Sequence, residues 1–361
     1  MNILVVRLGA LGDIVHAVPA AAALRHAFPD AGIDWLVDAK HREIVELVTT
    51  VDRVVTLQSP TFAGWAAAVR DLRRTAYDVA IDLQGLLKSA VLARASGARR
   101  IVGFSIWHLR EKTARPFYSD VQETDAGHVI RKNLRLLRAV GVEDEVIRFP
   151  LAAAPSQALD AVQSRVASGP FALINPGAAW PNKRWAAERF GELASFLKEQ
   201  CGLTPVVLWG PGEERLADSV IAASANAAIA APPTGLVDLV ALARAAALVV
   251  SGDTGPLHIA TAVGTPTVSL FGPTDAERNG PYQPDDVVVS RYDTCGCHYD
   301  RECHEARWCL GEITVAEVSA AVQRRLRLGP TSSARQDSSS SSARQDASLS
   351  SARQDPEKPR G

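Results

Sequence analysis

Short runs rich in Val, Ile and Leu recur along this chain in two series, and that recurrence restricts the fold more than any other feature. ILVV (3–6), IDWLV (33–37), RVVTL (53–57), DVAIDL (78–83) and RIVGF (100–104) alternate with Ala/Leu/Arg-rich stretches of helical spacing. Near-continuous apolar strands between amphipathic helices predict a parallel sheet covered on both faces. After a helix near 128–140 and the passage FPLAAAPSQA (149–158), the pattern begins again. FALINPGA (171–178), TPVVLWG (204–210), AAIAAP (227–232), ALVVSGD (247–253), PTVSLFG (266–272) and DVVVSR (286–291) are its strands. The expectation is an α/β protein of two Rossmann-like, doubly wound domains, 1–150 and 151–312, facing across a cleft. In such sheets ligands sit beyond the C-terminal strand ends, so the loops there should carry the chemistry.

The remaining segments bound the reading. TVAEVSAAVQRRLRL opens with a T-x-x-E capping box and predicts a last helix over 313–328. From 329 to 361 the sequence SSARQD recurs amid serine and proline, a composition expected to be disordered. The 361 residues are 47% hydrophobic and carry 39 basic against 40 acidic side chains, so nothing global favours nucleic acid. An arginine at position 7 interrupts the first apolar run too early for a signal peptide, and no run approaches the roughly 18 to 20 apolar residues of a membrane helix. A cytoplasmic protein is expected, with peripheral contact to the inner membrane left open. Cys295, Cys297, Cys303 and Cys309 crowd together with His298 and His304, at spacings unlike the paired C-x-x-C of zinc ribbons. Either a bound metal or a compact loop of partly buried thiols would account for them.

In the opening loop, VVRLGALGDIVH (5–16), the glycines are spaced G-x-x-G and Asp13 follows at once. A dinucleotide fingerprint needs G-x-G-x-x-G, and an aspartate facing a pyrophosphate would repel it. Asp38, ending the second strand, keeps a nicotinamide site in view, and Asp13 could instead cap the helix that follows.

Three further loops hold polar groups after strands. In SGDTGPLH, Asp253, Thr254 and Gly255 precede a helix starting near Pro256, with Leu257 and His258 next; its free amides suit a diphosphate, and Asp253 suits a sugar hydroxyl. In NPGAAWPNKRW, Lys183 could neutralise charge on a leaving phosphate. In WGPGEERLAD, Glu213 could accept from ribose hydroxyls or simply favour a helix start. His16 and His128 are expected as scaffold, and Trp180 and Trp185 as packing residues.

RLGALGDIVHAVPA, YDVAIDLQGLLKSA (77–90), HVIRKNLRLL (128–137), NPGAAWPNKRW and SGDTGPLHIATAVGTPTVSLFGPTD stand in one order, and together they resemble glycosyltransferase family 9, the ADP-heptose:lipopolysaccharide heptosyltransferases. The resemblance covers about residues 1–325 and is closest to the branch acting on Kdo. It implies a GT-B architecture whose C-terminal helix crosses back to the first domain. It implies metal-independent, inverting transfer of L-glycero-D-manno-heptose from ADP-heptose, without a cofactor, to Kdo of the lipopolysaccharide inner core. A monomer is the expected state. By the same resemblance, Asp13 is the general base and Lys183 balances the departing ADP. Glu213, Thr234, Asp253, Thr254, Gly255, Pro256, Leu257 and His258 hold the donor.

The acceptor side departs from the family. LQSPTFAGWAAA (57–68) carries no positive charge where the family has a basic segment. That leaves Gly12, Gln84, Arg110 and Lys112, with Arg115 nearby, as acceptor-binding candidates. A different acceptor, a nucleotide-sugar 2-epimerase, a nicotinamide-dependent oxidoreductase and a non-catalytic sugar-binding protein are the competing readings.

Overall fold

The computed structural model describes residues 1–125 and 127–329; the repetitive tail expected to be disordered lies, but for Gly329, outside them. Two six-stranded, all-parallel sheets form the frame. The first contains β1 (Asn2–Val6), β2 (Gly32–Asp38), β3 (Arg53–Leu57), β4 (Val79–Asp82), β5 (Arg100–Phe104) and β6 (Asp120–Gln122). The second contains β7 (Phe171–Asn175), β8 (Thr204–Val207), β9 (Ile229–Ala230), β10 (Leu248–Gly252), β11 (Thr267–Phe271) and β12 (Val287–Ser290). Strand order is β3-β2-β1-β4-β5-β6 in one and β12-β11-β10-β7-β8-β9 in the other, the same doubly wound order twice. The order reverses between β1 and β4, and again between β7 and β10. Loops leaving those four strands therefore open onto two crevices.

The central strands are apolar throughout because helices cover both faces. Ile3, Leu4, Val5, Val6, Ile81, Ile174, Val250 and Leu270 are all buried. Trp35 on β2 is fully buried and gives its indole N–H to the Arg7 carbonyl at 3.1 Å, which ties β2 to the start of the first loop. Trp185 is likewise buried, its indole N–H bonded to the Ile313 carbonyl at 3.0 Å. It packs, as expected of it. Either tryptophan cut to alanine would cost about 3–5 kcal/mol.

One expectation is corrected, and one strand was not foreseen. The last helix, Val315–Arg327, begins at the foreseen capping box, with Thr314 and Glu317 exchanging hydrogen bonds. It does not cross back to the first sheet. Its Val318, Ala321 and Val322 join the core of the second sheet, and it packs on β11, β12 and the helix Ala187–Cys201. Arg325 on the same helix forms a fully buried ion pair with Asp286 before β12 at 3.0 Å, which anchors the helix there. The strand β6 was not foreseen, since three residues with one apolar side chain, Asp-Val-Gln, give no periodic signal.

Candidate active site

The crevice of the first sheet is built around an ion pair. Arg7 leaves β1 almost fully buried, bonded through one nitrogen to the Leu83 carbonyl and through the other to Asp13 Oδ2 at 2.7 Å. Asp13 is the third residue of a short helix, Leu11–Val15, whose N-cap is Ala10; it is not itself the N-cap, although its carboxylate accepts the Ala10 N–H at 3.4 Å. Burial pushes the Asp13 carboxyl up, but the charge and hydrogen bond of Arg7, the charge of Arg110 and the Ala10 N–H outweigh it. The group is held below its ordinary range and stays ionised.

Gln84, after β4, uses its side-chain oxygen to accept the Leu8 N–H at 2.8 Å. Its own N–H is bound by the buried Asp82 at 2.8 Å. Gln84 thus joins the loops after β1 and β4. Asp38 accepts Lys88 Nζ at 3.1 Å, so the acid that imitated a ribose ligand has an internal partner.

The second crevice centres on a buried carboxylate. Asp253, after β10, receives Lys183 Nζ at 2.6 Å and Thr274 Oγ1 at 2.8 Å on one oxygen and faces His258 Nε2 at 3.1 Å on the other. Burial raises this carboxyl, yet His258 and Lys183 together hold it far below its ordinary range. A sugar hydroxyl was the expected partner of Asp253; the structure instead makes it the anchor that fixes Lys183 and His258. Lys183 also lies over the Trp180 ring at 4.4 Å, so Trp180 supports the lysine.

Thr254 is the N-cap of the helix Gly255–Ala262, with Pro256 in its first turn and Leu257 buried. The Thr254 hydroxyl turns inward to Asn175 Nδ2 at 2.9 Å, leaving the first amides of the helix to face the crevice. Glu213 precedes the helix Glu214–Ala223, accepts the Gly210 N–H at 3.1 Å and pairs with Arg184 at 3.3 Å. Thr234 lies in the loop between β9 and the helix Leu236–Ala245. Loops after β7, β8, β9 and β10 thus gather every expected donor-side residue along one edge of the second sheet.

The crevices meet where the helix Leu11–Val15 packs on the helix Gly255–Ala262. A Cβ on Gly12 would lie 2.3 Å from the His258 ring, and one on Gly255 would lie 2.5 Å from the Leu11 side chain. Glycine is required at both because a side chain of the facing helix fills the space a Cβ would take. His16 stacks edge-on against His258 at 4.3 Å and His128 at 5.6 Å between ring centroids. His128 also caps its helix by accepting the Ile130 N–H at 3.2 Å and reaches across to the Gly280 carbonyl at 2.8 Å. Both histidines are the scaffold expected, and they hold the two sheets together.

Arg7 and Arg110 act on Asp13, further cations act on one another around Arg7, and only some were foreseen. Arg110 and Lys112 are exposed in the loop after β5, and the Arg110 charge acts on Asp13; Arg115 instead bonds the Tyr118 carbonyl at 3.3 Å. Lys132, from the helix Val129–Leu136, bonds the His108 carbonyl at 3.1 Å and lies 4.9 Å from the Phe104 ring centre. Burial, then the charges of Arg278 and Arg7, bring its amine down to about 8. Arg7, Lys132 and Arg278 were missed because their neighbours are remote in sequence. The HVIRKNLRLL block was the one available signal.

Comparison with known proteins identifies the family. The family model for glycosyltransferase family 9 (heptosyltransferase) matches residues 65–309. Lipopolysaccharide heptosyltransferase 1 of Pseudomonas aeruginosa is 29% identical over 317 residues, covering 84% of this chain and 87% of that protein. Its Escherichia coli K12 counterpart is 26% identical over 303 residues, covering 80% and 93%. Among solved structures, E. coli heptosyltransferase WaaC with ADP superposes with a TM-score of 0.74 at 24% identity, over 90% of this chain and all of that one (100%). A family 9 glycosyl transferase from Veillonella parvula gives 0.75 at 22%, over 91% and 97%. Two sheets of the same doubly wound order are the frame shared with these solved structures, and the family model spans most of the chain: the chain belongs to glycosyltransferase family 9, the heptosyltransferases.

Proposed function

We propose that the chain transfers L-glycero-D-manno-heptose from ADP-heptose to a hydroxyl of Kdo in the lipopolysaccharide inner core, with inversion and without a catalytic metal. The region 1–150 takes the acceptor and 151–312 the donor. The observation that carries this reading is the pairing of an ionised Asp13, backed by Arg7, with Lys183 across the contact between Gly12 and His258. Asp13 accepts the proton of the acceptor hydroxyl as its oxygen forms the bond to the anomeric carbon. The glycosidic bond to ADP breaks on the opposite face, which inverts the centre. Lys183 and the first amides of the helix Gly255–Ala262 receive the negative charge that builds on the diphosphate. Because Arg7 holds Asp13 below its ordinary range, proton transfer falls late, when the attacking oxygen has become acidic.

The acceptor's anionic groups are assigned to Arg110, Lys112, Lys132 and Arg278, which stand in for the basic segment lacking at 57–68. Beside Arg110, Ile106 and Trp107 are exposed, Trp107 by 78%, a pattern suited to the surface of the membrane that presents a lipid-linked acceptor. Among the described residues no helix is long and apolar enough to cross a membrane. The enzyme is assigned as a monomer at the cytoplasmic face of the inner membrane.

The test is product analysis with ADP-heptose and a Kdo-lipid A acceptor, without added magnesium or manganese. Expected are ADP and one heptose added to the acceptor with inverted anomeric configuration. Free heptose, an epimerised donor, or no addition to any Kdo acceptor would overturn the reading.

A further inference from the structure

The stretch after β12 that carries four cysteines plays no part in the transfer described above. Between the turns Tyr292–Thr294 and Cys309–Glu312 it contains no regular element, and its composition, CGCHYDRECHEARWC, offers little apolar surface besides the thiols. A long irregular segment of this kind needs a staple to hold a single conformation. The thiols are gathered in two touching pairs. Cys297 Sγ lies 3.4 Å from Cys303 Sγ, and burial together with the neighbouring Cys295 thiol pushes the Cys309 thiol up to about 12. The pairs adjoin, since Cys295 raises the Cys303 thiol and Cys303 in turn raises that of Cys309. Cys295, Cys297 and Cys309 are buried, all five cysteines are free thiols, and the His304 N–H points at Cys297 Sγ from 3.3 Å. Among the described residues no three potential ligands already stand at coordination positions.

We propose that Cys295, Cys297, Cys303 and Cys309 bind one thiophilic divalent ion of the zinc or ferrous class, as a structural site. In a tetrahedral tetrathiolate with bonds of about 2.3 Å, neighbouring sulfurs lie about 3.8 Å apart. The 3.4 Å pair thus needs to open by only a few tenths of an ångström, and the two pairs to turn toward each other. Binding replaces four S–H bonds by four metal–sulfur bonds and releases four protons, with no change of oxidation state. The His304 amide supplies the kind of N–H···S contact that steadies a thiolate ligand.

The loop so pinned braces the donor crevice. Asn182, buried beside Lys183, donates to the Asp300 carbonyl at 2.8 Å and accepts the Trp308 indole N–H at 3.3 Å. The Tyr299 N–H bonds the Pro273 carbonyl at 2.8 Å, next to Thr274. A Cβ on Gly272 would lie 2.8 Å from Cys309 Sγ, so the same loop lies flush against the end of β11. Both Lys183 and Thr274, which fix Asp253, are therefore held from behind by the cysteine loop.

The experiment is metal analysis of the full chain purified under reducing conditions. It is joined by titration of the chelated protein with Co(II) and then Zn(II), which needs no variant. About one zinc or iron per chain is expected in the wild type and in Cys201→Ser, whose cysteine lies elsewhere. Less than a tenth of that is expected in the double variant Cys297→Ser/Cys303→Ser. Co(II) should give thiolate charge-transfer and tetrahedral d–d bands that Zn(II) abolishes. A reduced wild type that holds no ion and develops no such bands would overturn the proposal. So would metal undiminished in the double variant, or cysteines recovered as two disulfides.

Discussion

The two sheets share a strand order, and each opens a crevice where that order reverses, but the crevices are equipped in opposite ways. In the first, one carboxylate, Asp13, is braced by Arg7 and left partly exposed, with further cations nearby. In the second, the carboxylate, Asp253, is enclosed by Lys183, Thr274 and His258 and presents a cation and helix amides. A partly exposed, ionised carboxylate suits removing a proton from an acceptor. A cation held in place by a buried carboxylate suits receiving a departing phosphate. Fold alone assigns neither task; the charge at each switch point does.

The sharpest way to break this division is to neutralise one carboxylate. Asp13→Asn keeps the size of the side chain and removes the base, so turnover should fall by about 10²–10⁴-fold. The loss is read from steady-state release of ADP with acceptor present. Lys183→Met should lower kcat by about 10²–10³-fold, the scale of losing one preorganised electrostatic contact to the reacting charge. Because it also leaves Asp253 buried without its cation, thermal unfolding should shift down in this variant and not in Asp13→Asn.

Gly12→Ala tests the contact between the crevices. The added methyl meets the His258 ring, so a cost of about 1–3 kcal/mol in denaturant unfolding is expected, with kcat/KM reduced. An unchanged variant would mean the two helices are not packed in solution.

Arg7→Met gives a finer test. With the guanidinium gone, burial acts on Asp13 against only the Arg110 charge and the Ala10 N–H, so its carboxyl rises and the acid limb of the kcat profile should move to higher pH. Stability should respond to pH through the histidines. Burial, then His258, His128 and Arg7, hold His16 well below its ordinary value despite Asp253, and burial likewise lowers His128. A group depressed in the folded state takes protons first in the unfolded chain, so stability is lost as pH falls through about 6.5. Between pH 7.5 and 5.5 a loss of about 1–2 kcal/mol is expected in urea titrations, and His16→Phe should flatten it. Asp13 and Asp253, depressed below the ordinary carboxylate range, add nothing in that window.

Much of this frame was legible in the residues. Strands buried on both faces are continuous apolar runs, which is why β1 and β10 could be read directly while the three-residue β6 could not. The loops after β1, β7 and β10 stood out because polar residues follow strands there. What sequence could not convey is pairing at a distance. Asp253 was read as facing a sugar because Lys183 and Thr274 are far from it along the chain, and Lys132 was invisible as a neighbour of Arg278. The last helix was expected over the first sheet by resemblance. The Arg325–Asp286 pair, buried only once the chain has folded, holds it to the second.

The central claim, that base and donor site belong to different sheets, is tested most directly by calorimetric ADP binding to Asp13→Asn and Lys183→Met. Asp13→Asn should bind ADP within about twofold of the wild type, and Lys183→Met should bind it at least about tenfold more weakly, the scale of 1.4 kcal/mol. ADP affinity lost in Asp13→Asn and kept in Lys183→Met would contradict the assignment of the two crevices.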